Sequence, residues 1–207
     1  MTAGAAPRPH LVRRAMLVQA AVISYNLLEG LISVTAGVIA GSTALVGFGL
    51  DSAIEVSASV AVLAHLWRSR EDEALDWERR VAVYVGITLM ALAVFVAARA
   101  VYDLTTGSKP DESYLGIGIA AASLVIMPLA SRYEHSLSHR INSRALEAES
   151  RETLVCSYLS ATLLLGLGAH ALFGWWWADP VAALVMVLVI AREGYEAFTR
   201  RELCCLD

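Results

Sequence analysis

Apolar residues run along this chain in long blocks, broken by short clusters of charge. The blocks cover roughly residues 15–40, 44–67, 81–101, 115–129, 152–173 and 180–190, the last with helical extension to about Phe198. A bilayer core about 30 Å thick takes roughly 20 mostly apolar residues per helix, so each block is read as one crossing. The pattern predicts an all-α, six-helix integral membrane bundle. Its membrane domain spans 15–199, between a polar N-terminal tail, 1–14, and a short C-terminal tail, 200–207. Pro128 is expected to kink the fourth helix near its inner end, where neighbours must satisfy the freed carbonyl.

Composition fits this reading. Hydrophobic residues make up 57% of the 207 and charged residues 17%, against about 25% charged in an ordinary soluble domain. A globule of this length hides only about 70% of its surface, too little for that apolar content. This argues against a soluble enzyme. A net charge of −4 offers no basic face for nucleic acid, and three cysteines make no disulfide framework. The first apolar run is too long for a cleavable signal and is read as a retained helix.

The arginines set the expected orientation. Arg8, Arg13 and Arg14 precede the first block, and Arg68, Arg70, Arg79 and Arg80 separate the second from the third. Arg132, Arg140, Arg144 and Arg151 separate the fourth from the fifth, and Arg192, Arg200 and Arg201 close the chain. Of the 16 basic residues only Arg99 and Lys109 fall on the other side. The positive-inside rule then puts both termini in the cytoplasm of a multi-pass cell-membrane protein. The outer links are short, at 41–43, 105–113 and 174–179. Trp175, Trp176 and Trp177 are expected in an interfacial belt, with Asp179 as N-cap and Pro180 as first residue of the sixth helix.

Ionisable side chains within membrane spans are costly and usually face a cavity or a partner. The first span carries Asn26 and Glu29, the second Asp51 and Glu55, and the fifth Glu152 and Cys156 with His170 near its outer end. Asp51 and Glu55, four apart, share one helix face. Two carboxylates there repel each other unless they are protonated or bridged by a cation. Glu152 and Cys156 repeat the spacing, and together the four offer oxygen and thiolate ligands for a divalent ion such as Zn²⁺. Two bland readings stand beside this. Asp51 and Glu55 would merely hydrogen-bond Asn26 or serines of the bundle, and Cys156 would pack as a small hydrophobe. Glu29, with no second acid on its own face, is expected to matter less.

The run Asn26-Leu27-Leu28-Glu29-Gly30-Leu31, followed by Ala36-Gly37, Gly41-Ser42-Thr43-Ala44-Leu45 and Gly49-Leu50-Asp51-Ser52-Ala53-Ile54-Glu55, resembles the first two helices of cation diffusion facilitators. Ser143-Arg144-Ala145-Leu146-Glu147-Ala148-Glu149 and Trp177-Ala178-Asp179-Pro180-Val181-Ala182-Ala183-Leu184 extend the resemblance over essentially the whole chain. It implies divalent-metal efflux, usually of zinc in exchange for protons, through a site between helices two and five. Asp51 and Glu55 match the family's second-helix pair. Glu152 and Cys156 stand where it typically has His and Asp. The family's usual cytoplasmic domain has no counterpart here, so a short branch without it is expected. The expected partners are a divalent cation, protons, the bilayer and a second copy of the chain, with no resident cofactor. Small residues Gly30, Ala36, Gly37, Gly116 and Gly118 would let helices slide in close contact. A membrane-embedded metal sensor or accessory subunit, and a purely structural bundle, remain the rivals.

Depth poses a difficulty. Asp51 and Glu55 lie roughly 10–17 Å below Ala44, whereas Cys156 lies roughly 25 Å from Phe173. The gap closes if helix five ends at Gly168 and the remainder forms a re-entrant loop. His135 and His139, read as lying in the loop between spans four and five, are expected to be solvated, since Arg132, Arg140 and Arg144 repel a dication. Cys204 and Cys205 are candidates for metal binding or palmitoylation, or for an inert tail. Reporters fused after Asp207 and inserted near Asp72 should both read cytoplasmic. An external reading at either position would break the six-span topology.

Overall fold

The computed structural model describes residues 9–68, 74–141 and 143–203. The expectations for Arg8, Arg70, Cys204 and Cys205 fall outside the described residues. Six helices follow one another: α1 (Pro9–Ala40), α2 (Thr43–Arg68), α3 (Ala74–Thr106), α4 (Tyr114–Ile141), α5 (Arg144–Phe173) and α6 (Ala178–Leu203). Among the described residues there is no strand. α1 to α5 each contain a stretch long and apolar enough to cross a membrane.

α6 falls outside that group because Arg192, Glu193 and Glu196 enter its second half. It nonetheless packs along the bundle from one end past the middle. Asp179 at its start touches the first turn of α2, and Gly194 lies against Met90 and the Gly86 carbonyl near the middle of α3. That is roughly 22 Å at 1.5 Å per residue. Burial is inverted relative to a water-soluble protein. Leu165, Leu172 and Ile39 are 75%, 79% and 78% exposed, while Gln19, Glu29 and Glu134 are fully buried. An apolar exterior around a polar interior is what a bilayer solvent requires.

The helices outrun the apolar blocks that announced them. α1 starts at Pro9, so Arg13 and Arg14 ride exposed on its first turns. α4 continues through Pro128 to Ile141, and α5 begins at Arg144. Ser143 caps α5 by accepting from Leu146 N–H at 3.3 Å. The predicted loop around His135 and His139 is therefore the end of α4. Hydropathy ends where the lipid ends, whereas hydrogen-bonded helix continues beyond it, and polar residues there gave a false boundary. Exposed Arg13, Arg14, Arg80, Arg132, Arg140, Arg151 and Arg192 all lie toward the end of the bundle that holds the starts of α1, α3 and α5.

At the opposite end the links are tight. Gly41 (φ 69°) and Gly174 (φ 67°) turn the chain in the left-handed region after α1 and α5. Asp179 does not cap its own helix as expected. It lies within α6, and its carboxylate accepts from Ser42 Oγ at 2.5 Å and Thr43 N–H at 3.0 Å, capping α2. Thr43 Oγ1 in turn donates to Asp103 on α3.

α1 and α2 meet backbone to backbone. A Cβ on Gly49 would stand 2.7 Å from Val34 N and 2.9 Å from Gly30 O, and one on Gly37 would stand 2.8 Å from Val46 N. Gly116 admits both Leu45 and Leu167, whose methyls would meet its Cβ at 2.6 and 3.1 Å. Gly118, expected in the same role, faces open space. The apolar core, with Leu45, Phe48, Val96, Leu159, Leu163, Met186 and Ile190, lies between α2, α3, α5 and α6. Gly49→Leu should push α1 from α2 and cost about 1–3 kcal/mol of stability, while Gly118→Ala should be neutral. Thermal unfolding in detergent, followed by size-exclusion, measures both. Equal midpoints for the two variants would refute this account of the α1–α2 contact.

Candidate metal centre

Three ionisable groups from three helices converge in the middle of the bundle. A carboxylate oxygen of Glu29 (α1), one of Glu55 (α2) and Cys156 Sγ (α5) all lie within 4.8 Å of one another. Cys156 has no exposed surface and is a free thiol. Glu29 accepts hydrogen bonds from Ser52 Oγ at 3.0 Å and from Ser123 on α4, and Ser123 also pairs with Tyr25 OH at 2.7 Å. Asn26 Nδ2 donates to Glu55 Oε2 at 3.1 Å. Side chains of three helices, α1, α2 and α4, thus hold the carboxylates in place.

The register of α5 explains how Cys156 reaches this level. Leu45 and Leu167 both pack on Gly116 and so stand at the same depth. From there Glu55 is ten residues along α2 and Cys156 eleven back along α5, about 15 and 16 Å. The expected mismatch assumed that both helices start at one height. Instead α5 remains helical to Phe173 and overhangs α2 by its last turn and a half. No re-entrant loop is needed.

Of the residues singled out from sequence, Glu55 and Cys156 are brought together. Asp51 is one turn from Glu55 on α2, 2% exposed, and outside the three-residue cluster. Glu152 is half-buried one turn before Cys156, likewise outside it. Glu29, expected to count for less, lies inside. A signal for it was present, since Asn26 and Glu29 sit three apart on one helix face. Pairing within one helix marks Asp51 and Glu55, whereas this centre is assembled between helices.

The hydrogen bond from Asn26 to Glu55, required by the bland reading, is present as well. Packing alone leaves a remainder. Asn26 Oδ1 and Asp51 Oδ1 are buried with no hydrogen-bond partner. Such acceptors cost about 1–3 kcal/mol each when left unpaired. Both are acceptors, which a cation or a proton at the centre would satisfy. His135 and His139 are a separate feature. They stand exposed on α4 with their Nε2 atoms 3.2 Å apart.

The family profile for the cation efflux transmembrane domain matches residues 20–200. The chain belongs to the cation efflux family. Among relatives in that family, an uncharacterized transporter of Methanocaldococcus jannaschii is 24% identical over 178 residues, covering 83% of this chain and 62% of the relative. The manganese efflux system protein MneS of Bacillus subtilis is 25% identical over 183 residues, 85% of this chain and 63% of the relative. The cation-efflux pump FieF of Shewanella oneidensis is 25% identical over 104 residues, 50% and 35% of the two chains. The chain spans about three fifths of the length of the first two. Family and helices together make this a multi-pass membrane protein.

If the cluster is the binding centre, Glu29→Gln should weaken metal binding as much as Glu55→Gln, by about tenfold or more for each lost carboxylate charge. Titration calorimetry on the purified chain measures it. Undiminished affinity in Glu29→Gln would remove α1 from the site.

Proposed function

We propose that this protein exports a divalent transition metal from the cytoplasm in exchange for protons, with Zn²⁺ as the principal cargo. The observation that carries this reading is the meeting of two carboxylates and a thiol from α1, α2 and α5 within 4.8 Å. Thiolate with carboxylate suits a tetrahedral Zn²⁺, and Asn26 Oδ1 or water supplies a fourth position. Asp51 and Glu152, each one turn from a cluster member, belong to the path into and out of the centre. Metal displaces protons from carboxyl and thiol groups, and protons return when it leaves, which couples affinity to the pH on each side. Alternating exposure of the centre then turns binding into antiport. Arginines gathered at one end favour a cytoplasmic placement of that end and of both termini. A homodimer is part of the proposal, as the unit that carries the transport domain.

Mn²⁺ is the second reading. Glu29, Glu55, Asp51 and Asn26 make the surroundings rich in oxygen, which suits a harder ion, and one relative is named for manganese efflux.

Proteoliposomes with a trapped metal dye and a pH dye, challenged with Zn²⁺, Co²⁺, Ni²⁺, Mn²⁺, Fe²⁺ and Cd²⁺, test cargo and coupling together. Metal entry with opposing proton movement is expected, fastest for Zn²⁺. Stoichiometric binding without flux would instead mark a sensor or accessory subunit. Cys156→Ala should depress Zn²⁺ and Cd²⁺ flux more than Mn²⁺ flux, and Cys156→Asp should keep transport while shifting preference to oxygen-loving ions. An unchanged selectivity series in both variants would make Cys156 a packing residue.

A further inference from the structure

Toward the arginine-rich end a second polar cluster lies beneath the first, on the same three helices and on α4. Glu149 on α5, 4% exposed, accepts hydrogen bonds from Gln19 Nε2 on α1 at 3.0 Å and from Ser59 Oγ on α2. Glu134 on α4, fully buried, accepts from Thr153 Oγ1 at 3.0 Å, and Thr153 is the next turn of α5 after Glu149. Among the described residues neither carboxylate has an ion-pair partner. Two oxygens in the cluster are buried without a hydrogen-bond partner, Gln19 Oε1 and Glu134 Oε1, both in side chains with no exposed surface. The Gln19 amide is tethered through its nitrogen to Glu149, which fixes the orphan oxygen beside that carboxylate. Two acids and two unpaired acceptors in one buried place call for a cation.

We propose that Gln19, Ser59, Glu134, Glu149 and Thr153 form a second, all-oxygen site for a divalent metal cation, staged between the arginine-rich face and the Glu29–Glu55–Cys156 centre. Ser59 is four residues past Glu55, Glu149 seven before Cys156, and Gln19 ten before Glu29. The two sites are therefore roughly 6–15 Å apart along the bundle. With hydroxyl, amide and carboxylate oxygen but no sulfur, the second site takes hard ions such as Mn²⁺ more readily than thiolate-seeking ones. An ion passing through would shed water there before meeting the thiol. The staging role rests on the transport reading above; the binding site itself does not.

Mn²⁺ binding to the purified full chain in nanodiscs, counted from the electron paramagnetic resonance signal of free Mn²⁺, tests this. The wild type should take up two equivalents. Glu134→Gln and Glu149→Gln should each lose one and keep the other, and the double variant Glu29→Gln with Cys156→Ser should lose the converse equivalent. Gln19→Glu, which places a third carboxylate at the orphan oxygen, should tighten the second site by about tenfold; misfolding cannot mimic that gain. A single equivalent abolished only by the Glu29 and Cys156 changes, or two equivalents untouched by both Glu134→Gln and Glu149→Gln, would overturn the second site. Normal flux in the Glu29 and Cys156 double variant would overturn the transport reading and leave the second site standing.

Discussion

The backbone contact between α1 and α2 is the constraint on which the rest of the bundle depends. With Gly30 and Gly49 facing each other, the two helices approach until main-chain atoms touch. Only at that separation do the short arms of Asn26 and Glu29 reach across to Glu55 and Ser52. In lipid no hydrophobic force draws helices together, so close packing and polar contacts must do it. Here the two cooperate: small residues permit the approach, and the hydrogen bonds it allows help to hold it.

The buried polar groups form a column, and each level of it is spoken for by a different helix set. At one end Asp179 caps α2 and, through Thr43, meets Asp103. In the middle Ser123 and Ser52 hold Glu29, and toward the arginine-rich end Gln19 and Ser59 hold Glu149. Serine recurs because its hydroxyl donates to a carboxylate at little cost in volume, and several of these serines also bond the preceding turn of their own helix. The column thus sets polar groups at three levels of a molecule whose outside is apolar.

Sequence alone was a good guide to whatever depends on one helix at a time. Six apolar blocks gave the helices, and Glu55 and Cys156 stood out as costly residues in lipid. It was a poor guide where the answer depends on how two helices are offset. The depth of Cys156 looked wrong because the overhang of α5 is set by Leu45 and Leu167 meeting at Gly116, a fact of packing. Glu134 and Glu149 were hidden for a related reason. They lie in helical extensions that polar residues disguise as loop, and nothing local distinguishes a buried acid there from a solvated one. Asp179 was expected to cap α6, but it lies inside that helix and its partner, the first turn of α2, lies more than a hundred residues away in the chain.

The joint at Asp179 has a mechanical consequence. It ties α6 to α2, and the Thr43–Asp103 bond ties α3 to the same point, while the glycine contact binds α1 to α2. Four helices are thereby fastened into one block, and the α4–α5 hairpin packs on it through Leu45 at Gly116 and through a close approach of Gly166 to Ala178 and Ala182 of α6. Glu29 and Glu55 belong to the block, and Cys156 belongs to the hairpin. A seam therefore passes through the middle of the metal centre. Any displacement of the hairpin against the block would leave the spacing of the two carboxylates unchanged and carry the sulfur away from both.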